Sequence, residues 1–82
     1  IMKMTKEELK TEIESCLSDV TFIYHNKNAG VTATVDDFKP KYQAWFGELW
    51  KEYSNADDLM SDTFYDNRSL NEIVQELDFQ LY

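Results

Sequence analysis

The sequence predicts a small α+β domain with the order helix, antiparallel β-hairpin, long aromatic helix and one or two short C-terminal helices (α-β-β-α-α). Two segments carry apolar residues every three or four positions, and a β-branched stretch with period-two alternation lies between them. The 82 residues leave room for a single domain, residues 1–82, near the lower size limit for a stable core. Because 43% of the residues are apolar and 15% aromatic, we expect the chain to fold.

The first element is a helix that begins after Thr5. Thr5 followed by Glu8 is a capping-box pattern, in which each side chain bonds the other residue's backbone N–H. Apolar residues then recur at helical spacing, namely Leu9, Ile13, Cys16, Leu17 and Val20. We expect a helix of about three to four turns that buries this face.

A β-hairpin follows. The composition becomes β-branched and aromatic from Val20 to His25, and residues 31–35 alternate apolar and polar, as in a strand with one buried face. Residues 26–30 are Asn, Lys, Asn, Ala and Gly, several of which tolerate positive φ. The sequence therefore predicts two strands joined through residues 26–30.

The most pronounced helical pattern lies in the middle of the chain. Asp36, Asp37 and Pro40 are residues that favour a helix N-terminus. Large apolar residues follow at helical spacing, namely Phe38, Tyr42, Trp45, Phe46, Leu49, Trp50 and Tyr53. We predict a long helix over 38–53 that packs on the hairpin, with all of these but Tyr53 assigned to the core.

The C-terminal part predicts short elements. Asn55 and Asp58 can cap a short helical turn, and Ser69 with Glu72 forms a second capping box before an apolar run at helical spacing. Residues 78–82 alternate apolar and polar, which allows an edge strand.

Composition excludes several classes of function. A formal charge of -8 disfavours direct binding to nucleic acid or to an anionic membrane. With a single cysteine, Cys16, and a single histidine, His25, the chain has no set of residues for nucleophilic catalysis or for a structural zinc site. We predict a non-enzymatic protein without metal or cofactor, a monomer or weak homodimer, in the reducing cytoplasm that such low cysteine usage favours.

The acidity is concentrated in the second half of the chain. Residues 42–82 carry nine acidic side chains but only Lys51 and Arg68 as bases, so seven of the eight net negative charges lie there. On the predicted helices, carboxylates about one turn apart are separated by about 5–6 Å, close to the phosphate spacing of a nucleic-acid strand. The hypothesis is an acidic surface that docks on a basic, nucleic-acid-binding protein; its residues are Glu48, Glu52, Asp57, Asp58, Asp62 and Asp66.

In its order of elements and its charge, the chain resembles phage-encoded anti-CRISPR proteins of the type II systems. The resemblance rests on these six carboxylates following a hairpin over 21–35. It implies an inhibitor that mimics DNA and occupies the DNA-binding site of a CRISPR effector nuclease, the basic partner expected here.

An alternative is a small interaction module in which the acidity serves solubility. The aromatic residues of 38–53, together with Phe64, Tyr65, Phe79 and Tyr82, exceed what so small a core can enclose, which predicts an exposed aromatic patch. Tyr65 and Tyr82 are the surface candidates, and Tyr65 joins the six carboxylates as an expected partner-binding residue. A salt titration separates the two hypotheses, because only binding through the acidic surface should weaken steeply with ionic strength.

Overall fold

The computed structural model describes residues 2–82 and contains a five-stranded antiparallel sheet with three short helices. In chain order the elements are α1 (Lys6–Ser15), β1 (Val20–Tyr24), β2 (Lys27–Asp36), β3 (Lys39–Phe46), β4 (Leu49–Tyr53), α2 (Ala56–Ser61), α3 (Leu70–Ile73), a 3₁₀ turn (Val74–Glu76) and β5 (Gln80–Leu81). The strand order across the sheet is β4-β3-β2-β1-β5, so β1 to β4 form successive hairpins and β5 pairs with the outer edge of β1.

The predicted α-β-β-α-α layout is wrong, because residues 38–53 form no helix. They form the β3–β4 hairpin, which turns at Gly47 with a φ of 60°. A two-residue turn pairs residues that lie symmetrically about it, and the register accordingly joins Phe46 to Leu49, Trp45 to Trp50 and Tyr42 to Tyr53. The aromatic spacing that suits one helix face therefore also suits cross-strand pairing, and aromatic residues favour strands.

The first hairpin is present, but its turn is tighter than predicted. Lys27 already pairs with Tyr24, so the turn is His25–Asn26 and not residues 26–30. Both turn residues have positive φ, as in a type I′ turn, whose twist matches that of the flanking strands. Asp37–Phe38 connects β2 to β3 in the same way, which moves Phe38 from the predicted core to an exposed turn.

The two capping boxes and the C-terminal strand are confirmed. Thr5 and Glu8 cap α1, and Ser69 and Glu72 cap α3. The first helix is shorter than its apolar pattern, because Cys16 adopts a left-handed conformation (φ 56°) at its end. Leu17 is therefore exposed instead of buried, and Val20 begins β1.

One face of the sheet is covered by the helices and carries the core. Its buried strand residues include Val20 and Phe22 on β1, Val31 on β2 and Phe46 on β3, and they form one cluster with Leu9, Ile13, Leu59, Leu70 and Ile73 of the helices. Tyr65, predicted at the surface, is fully buried in this cluster because its ring packs on those of Phe22 and Phe46, and its hydroxyl donates a hydrogen bond to the Gly30 carbonyl at 3.0 Å. All of the helices thus bury their apolar sides against one face, which leaves the opposite face of the sheet without a covering layer.

Candidate binding surface

The face of the sheet that no helix covers is called the open face below. It is the most extended surface whose side chains do not pack in the core. Strand side chains alternate between faces, so the residues between the buried positions point to the open face. They include Thr21 and Ile23 of β1, Thr32 of β2, Gln43 and Trp45 of β3, and Trp50 and Glu52 of β4. Trp50 is 60% exposed and Ile23 68% exposed, although both side chains are large and apolar.

The two tryptophans form a cross-strand pair on this face, between β3 and the edge strand β4. Trp45 on β3 lies directly opposite Trp50 on β4, one position beyond the pair that closes the turn. On the side away from Trp50, the Trp45 indole covers Gly30 of β2. A Cβ at position 30 would lie 2.6 Å from the indole Cζ2 and 2.4 Å from the Val20 carbonyl oxygen. Gly30 thus lets the Trp45 indole approach β2 closely, while Trp50 stands beside Trp45 on β4.

A groove of about 580 Å³ follows the open face between Trp45 and the C-terminal tail. The sheet contributes Thr21, Ile23 and Trp45, while Glu76, Asp78 and Tyr82 line the far side. A smaller hollow of about 160 Å³ lies beside Trp50, next to Gln43 and Glu52. Asp78 Oδ1 lies 3.2 Å from Lys3 Nζ, so Glu76 is the carboxylate of the groove without an ion pair among the described residues. Together with the aromatic surface it suits an elongated ligand carrying apolar and positively charged groups.

The six predicted carboxylates do not form the expected row, because the helix that would align them is absent. Glu48 lies in the β3–β4 turn and Glu52 lies on the open face of β4. Asp57 and Asp58 are in the first turn of α2, Asp62 follows that helix, and Asp66 lies in the turn between Tyr65 and Arg68. They are therefore distributed over a turn, a strand, a helix and a loop.

Three of these carboxylates bind positively chargeable groups of their own chain. Asp57 Oδ1 lies 2.7 Å from Lys10 Nζ, and Asp66 Oδ2 lies 2.8 Å from His25 Nδ1. Asp62 Oδ2 accepts hydrogen bonds from Lys51 Nζ at 2.8 Å and from the Tyr53 hydroxyl at 2.6 Å. Such contacts hold α1, α2 and the loops together, so these side chains are less free to meet a partner than the sequence suggested.

The remaining three differ from one another. Asp58 belongs to the cap of α2, where its backbone N–H and its carboxylate both bond the Asn55 side chain. Glu48 and Glu52 make no ion pair with the described residues and are exposed. Of the predicted acidic set, these two are the ones available to a ligand.

The pKa values of Asp62 and Tyr53 both shift where their side chains meet. The bonds from Lys51 and Tyr53 hold the pKa of the Asp62 carboxyl below its usual range. Burial, together with the bond to the Asp62 carboxylate, raises the pKa of Tyr53. Both groups therefore keep their ordinary charge near neutrality, and the cluster acts as a structural tie between β4 and the end of α2.

The sequence contains a pattern that indicates the open face, but the helical spacing of the aromatic residues obscured it. Over 41–46, Tyr42, Ala44 and Phe46 are buried and alternate with Lys41, Gln43 and Trp45, which is the period of a strand. Tyr82 was correctly expected at the surface and is 74% exposed. Trp45 and Trp50 were both assigned to the core, but Trp45 is half-buried and Trp50 is exposed, and the exposure of Ile23 was not predicted.

Among residues 2–82, no group of three or more His, Cys, Asp or Glu side chains is placed to hold a metal ion. Cys16 precedes the start of β1 and His25 follows its end, so the strand separates them. The absence of enzymatic activity, of a metal and of a cofactor stays a prediction. None of the helices in residues 2–82 has the length and apolar character needed to cross a bilayer.

We find no match between this chain and a protein-family model, a curated protein or a solved structure. The resemblance to anti-CRISPR proteins therefore stays a hypothesis, and the site itself has to carry any functional proposal.

Proposed function

We propose that the chain is a non-enzymatic binding module that uses its open face to hold a protein segment with apolar and basic side chains. The observation that carries this proposal is the cross-strand pair of half-buried Trp45 and exposed Trp50 on a sheet face without a covering layer. Large exposed apolar patches on small proteins mark interaction sites, and tryptophan is enriched among residues that dominate binding energy.

Charge supports a basic ligand. The chain carries a formal charge of -8, and Glu52 and Glu76 stand at the two hollows of the open face. A Lys or Arg side chain laid over an indole gains a cation–π attraction, which adds to its attraction to neighbouring carboxylates. The negative charge of the chain would repel an acidic ligand. Charge therefore discriminates between apolar ligands that carry basic groups and those that carry acidic groups.

Extended peptides of defined sequence test this proposal. We expect a peptide alternating Arg and Leu to bind, with chemical-shift changes at Trp45, Trp50 and Ile23, and peptides alternating Asp and Leu or Arg and Ser to bind at least about tenfold more weakly. Trp50→Ser should weaken binding because it removes half of the aromatic pair. Leu49→Ser is the matched control, since Leu49 is adjacent, similarly exposed and on the opposite face. Equal binding of all peptides, or unchanged binding by Trp50→Ser, would contradict the proposal.

The charge also supports a second candidate, the acidic inhibitor that occupies the nucleic-acid site of a basic partner such as a CRISPR effector nuclease. Its support is the net charge of -8 together with the exposed Glu48 and Glu52. Competition with DNA for such a nuclease should then weaken steeply with added salt and be lost in the double variant Glu48→Lys, Glu52→Lys. Competition that persists in this variant and at high salt would sink this candidate.

A further inference from the structure

Strand β4 is an edge of the sheet and carries unpaired backbone groups. It lies outermost in the strand order, and no other element in the part of the chain that the structure describes pairs with its outer side. The pair that closes a two-residue turn exchanges backbone hydrogen bonds, and every second pair after it does so too. Leu49, Lys51 and Tyr53 therefore bond β3. The N–H and C=O groups of Trp50 and Glu52 point away from the sheet.

This edge is accessible. All residues from Gly47 to Glu52 are exposed, and β4 contains neither a proline nor a bulge, which protect many sheet edges against further pairing. Lys51 is the residue whose charge would give such protection, but its side chain turns back to the covered side of the sheet. Its Nζ lies 2.8 Å from Asp62 Oδ2 and 5.5 Å from the centre of the Tyr53 ring. The outer side of β4 is therefore open to another strand.

The free backbone groups determine which kind of ligand fits this edge. Trp50 and Glu52 together offer two N–H donors and two C=O acceptors, repeated about 7 Å apart along the strand. An extended polypeptide presents donors and acceptors with the same repeat, and its addition to a sheet edge is a common mode of peptide recognition. The edge therefore fits a strand.

Charge disfavours a second copy of this chain as that strand. Two copies related by a two-fold axis would pair their β4 strands antiparallel. The register with Trp50 opposite Glu52 places Lys51 opposite Lys51, and the register with Trp50 opposite Trp50 places Glu48 opposite Glu52. The remaining register that uses both outward residues places Glu52 opposite Glu52. Like charges directly opposite destabilise a strand pair, so a strand from another protein fits this edge better.

We propose that the segment with apolar and basic side chains joins the sheet as a sixth strand, antiparallel to β4. This inference rests on the proposed function and specifies how the segment is held. Side chains directly opposite each other share a face, so those opposite Trp50 and Glu52 lie on the open face. Glu52 makes no ion pair with the described residues and takes the basic side chain. Trp50 takes the apolar side chain two positions further along the segment.

Amide hydrogen exchange tests this proposal with a peptide that repeats Arg, Ser, Leu and Ser. Because side chains alternate along an extended chain, its Arg and Leu residues share one side. With saturating peptide we expect the amides of Trp50 and Glu52 to exchange at least about tenfold more slowly, since they become hydrogen-bonded. Ile23 is the control, because its N–H also points away from the neighbouring β2 but lies on β1. Its exchange rate should stay unchanged.

N-methylated peptides distinguish strand pairing from contact through side chains alone. Methyl groups on the Arg and Leu nitrogens remove the N–H groups that bond the Glu52 and Trp50 carbonyls, so binding should weaken about tenfold or more. Methyl groups on the Ser nitrogens point away from β4 and should leave binding unchanged. A peptide that binds without protecting Trp50 and Glu52, or that both methylations weaken equally, overturns strand addition and leaves the proposed function standing. A peptide that does not bind overturns both.

Discussion

Gly30 shows how a single missing side chain shapes both faces of this sheet. On the open face its lack of a Cβ lets Trp45 lie against β2, and its carbonyl accepts the hydroxyl of the buried Tyr65. Tyr65 in turn contacts the rings of Phe22, Phe46 and Phe64, with centroid separations of 5.0 to 5.8 Å. The position therefore connects the candidate binding surface to the aromatic core.

Gly30→Ala should destabilise the protein by about 1–3 kcal/mol, because the added Cβ overlaps backbone and indole atoms and forces them apart. Gly47→Ala is the comparison. Its Cβ would come no closer than 3.4 Å to a flexible Lys27 side chain, so only the strain of φ 60°, about 1 kcal/mol, is expected. Urea unfolding of the two variants measures the difference, and equal costs would show that the close approach at Gly30 is relaxed without strain.

At the scale of single residues, the features that the sequence predicted correctly depend on partners only a few positions away in the chain. The Thr5–Glu8 and Ser69–Glu72 capping boxes depend on residues three positions apart, and both were correct. The burial of Tyr65 depends on Gly30, which lies 35 positions earlier in the chain, so no local pattern reveals it. Asp57, Asp62 and Asp66 likewise find their partners through the tertiary fold.

At the scale of elements, the β3–β4 hairpin is the decisive case. Its aromatic residues satisfy helical and cross-strand spacing together, and the alternation over 41–46 competes with a longer helical pattern. Gly47 is the residue that favours the hairpin over the helix, because glycine weakens a helix and readily adopts the positive φ of a tight turn. Sequence periodicity alone could not decide between them, because both elements give residues 42 and 46 a buried face.

Paired substitutions in this hairpin separate the two structures. Phe46 is 1% exposed and Leu49 is 61% exposed, whereas a helix over 38–53 would bury both. We expect Phe46→Ala to cost about 3–5 kcal/mol and Leu49→Ala less than about 0.5 kcal/mol in the free energy of unfolding. A similar, large loss from both substitutions in denaturant titrations would contradict the hairpin and favour the helix.

At the scale of the whole molecule, the sheet has a layer of helices on one face only, and this asymmetry is what creates the open face. The sequence indicated an excess of aromatic residues over core volume, and the structure places part of that excess, Trp50 and Tyr82, outside the core. The sequence could not indicate which aromatic residues lie outside the core, because their exposure depends on which strands the helices cover. Part of the acidity, in contrast, is used within the chain to hold helices and loops in place.

The placement of β5 sets the order in which the fold can assemble. β1 to β4 are joined by two-residue turns, whereas the side chain of Thr21 bonds the carbonyl of Gln80, 59 positions away, and Met2 pairs with Phe79. Closing a long loop costs more entropy than closing a hairpin, so we expect the four-stranded meander to form before β5 docks. In stopped-flow measurements, Val31→Ala should then mainly slow folding, while Phe79→Leu should mainly speed unfolding. The opposite result would mean that the two ends of the chain meet first and that the hairpins form on them afterwards.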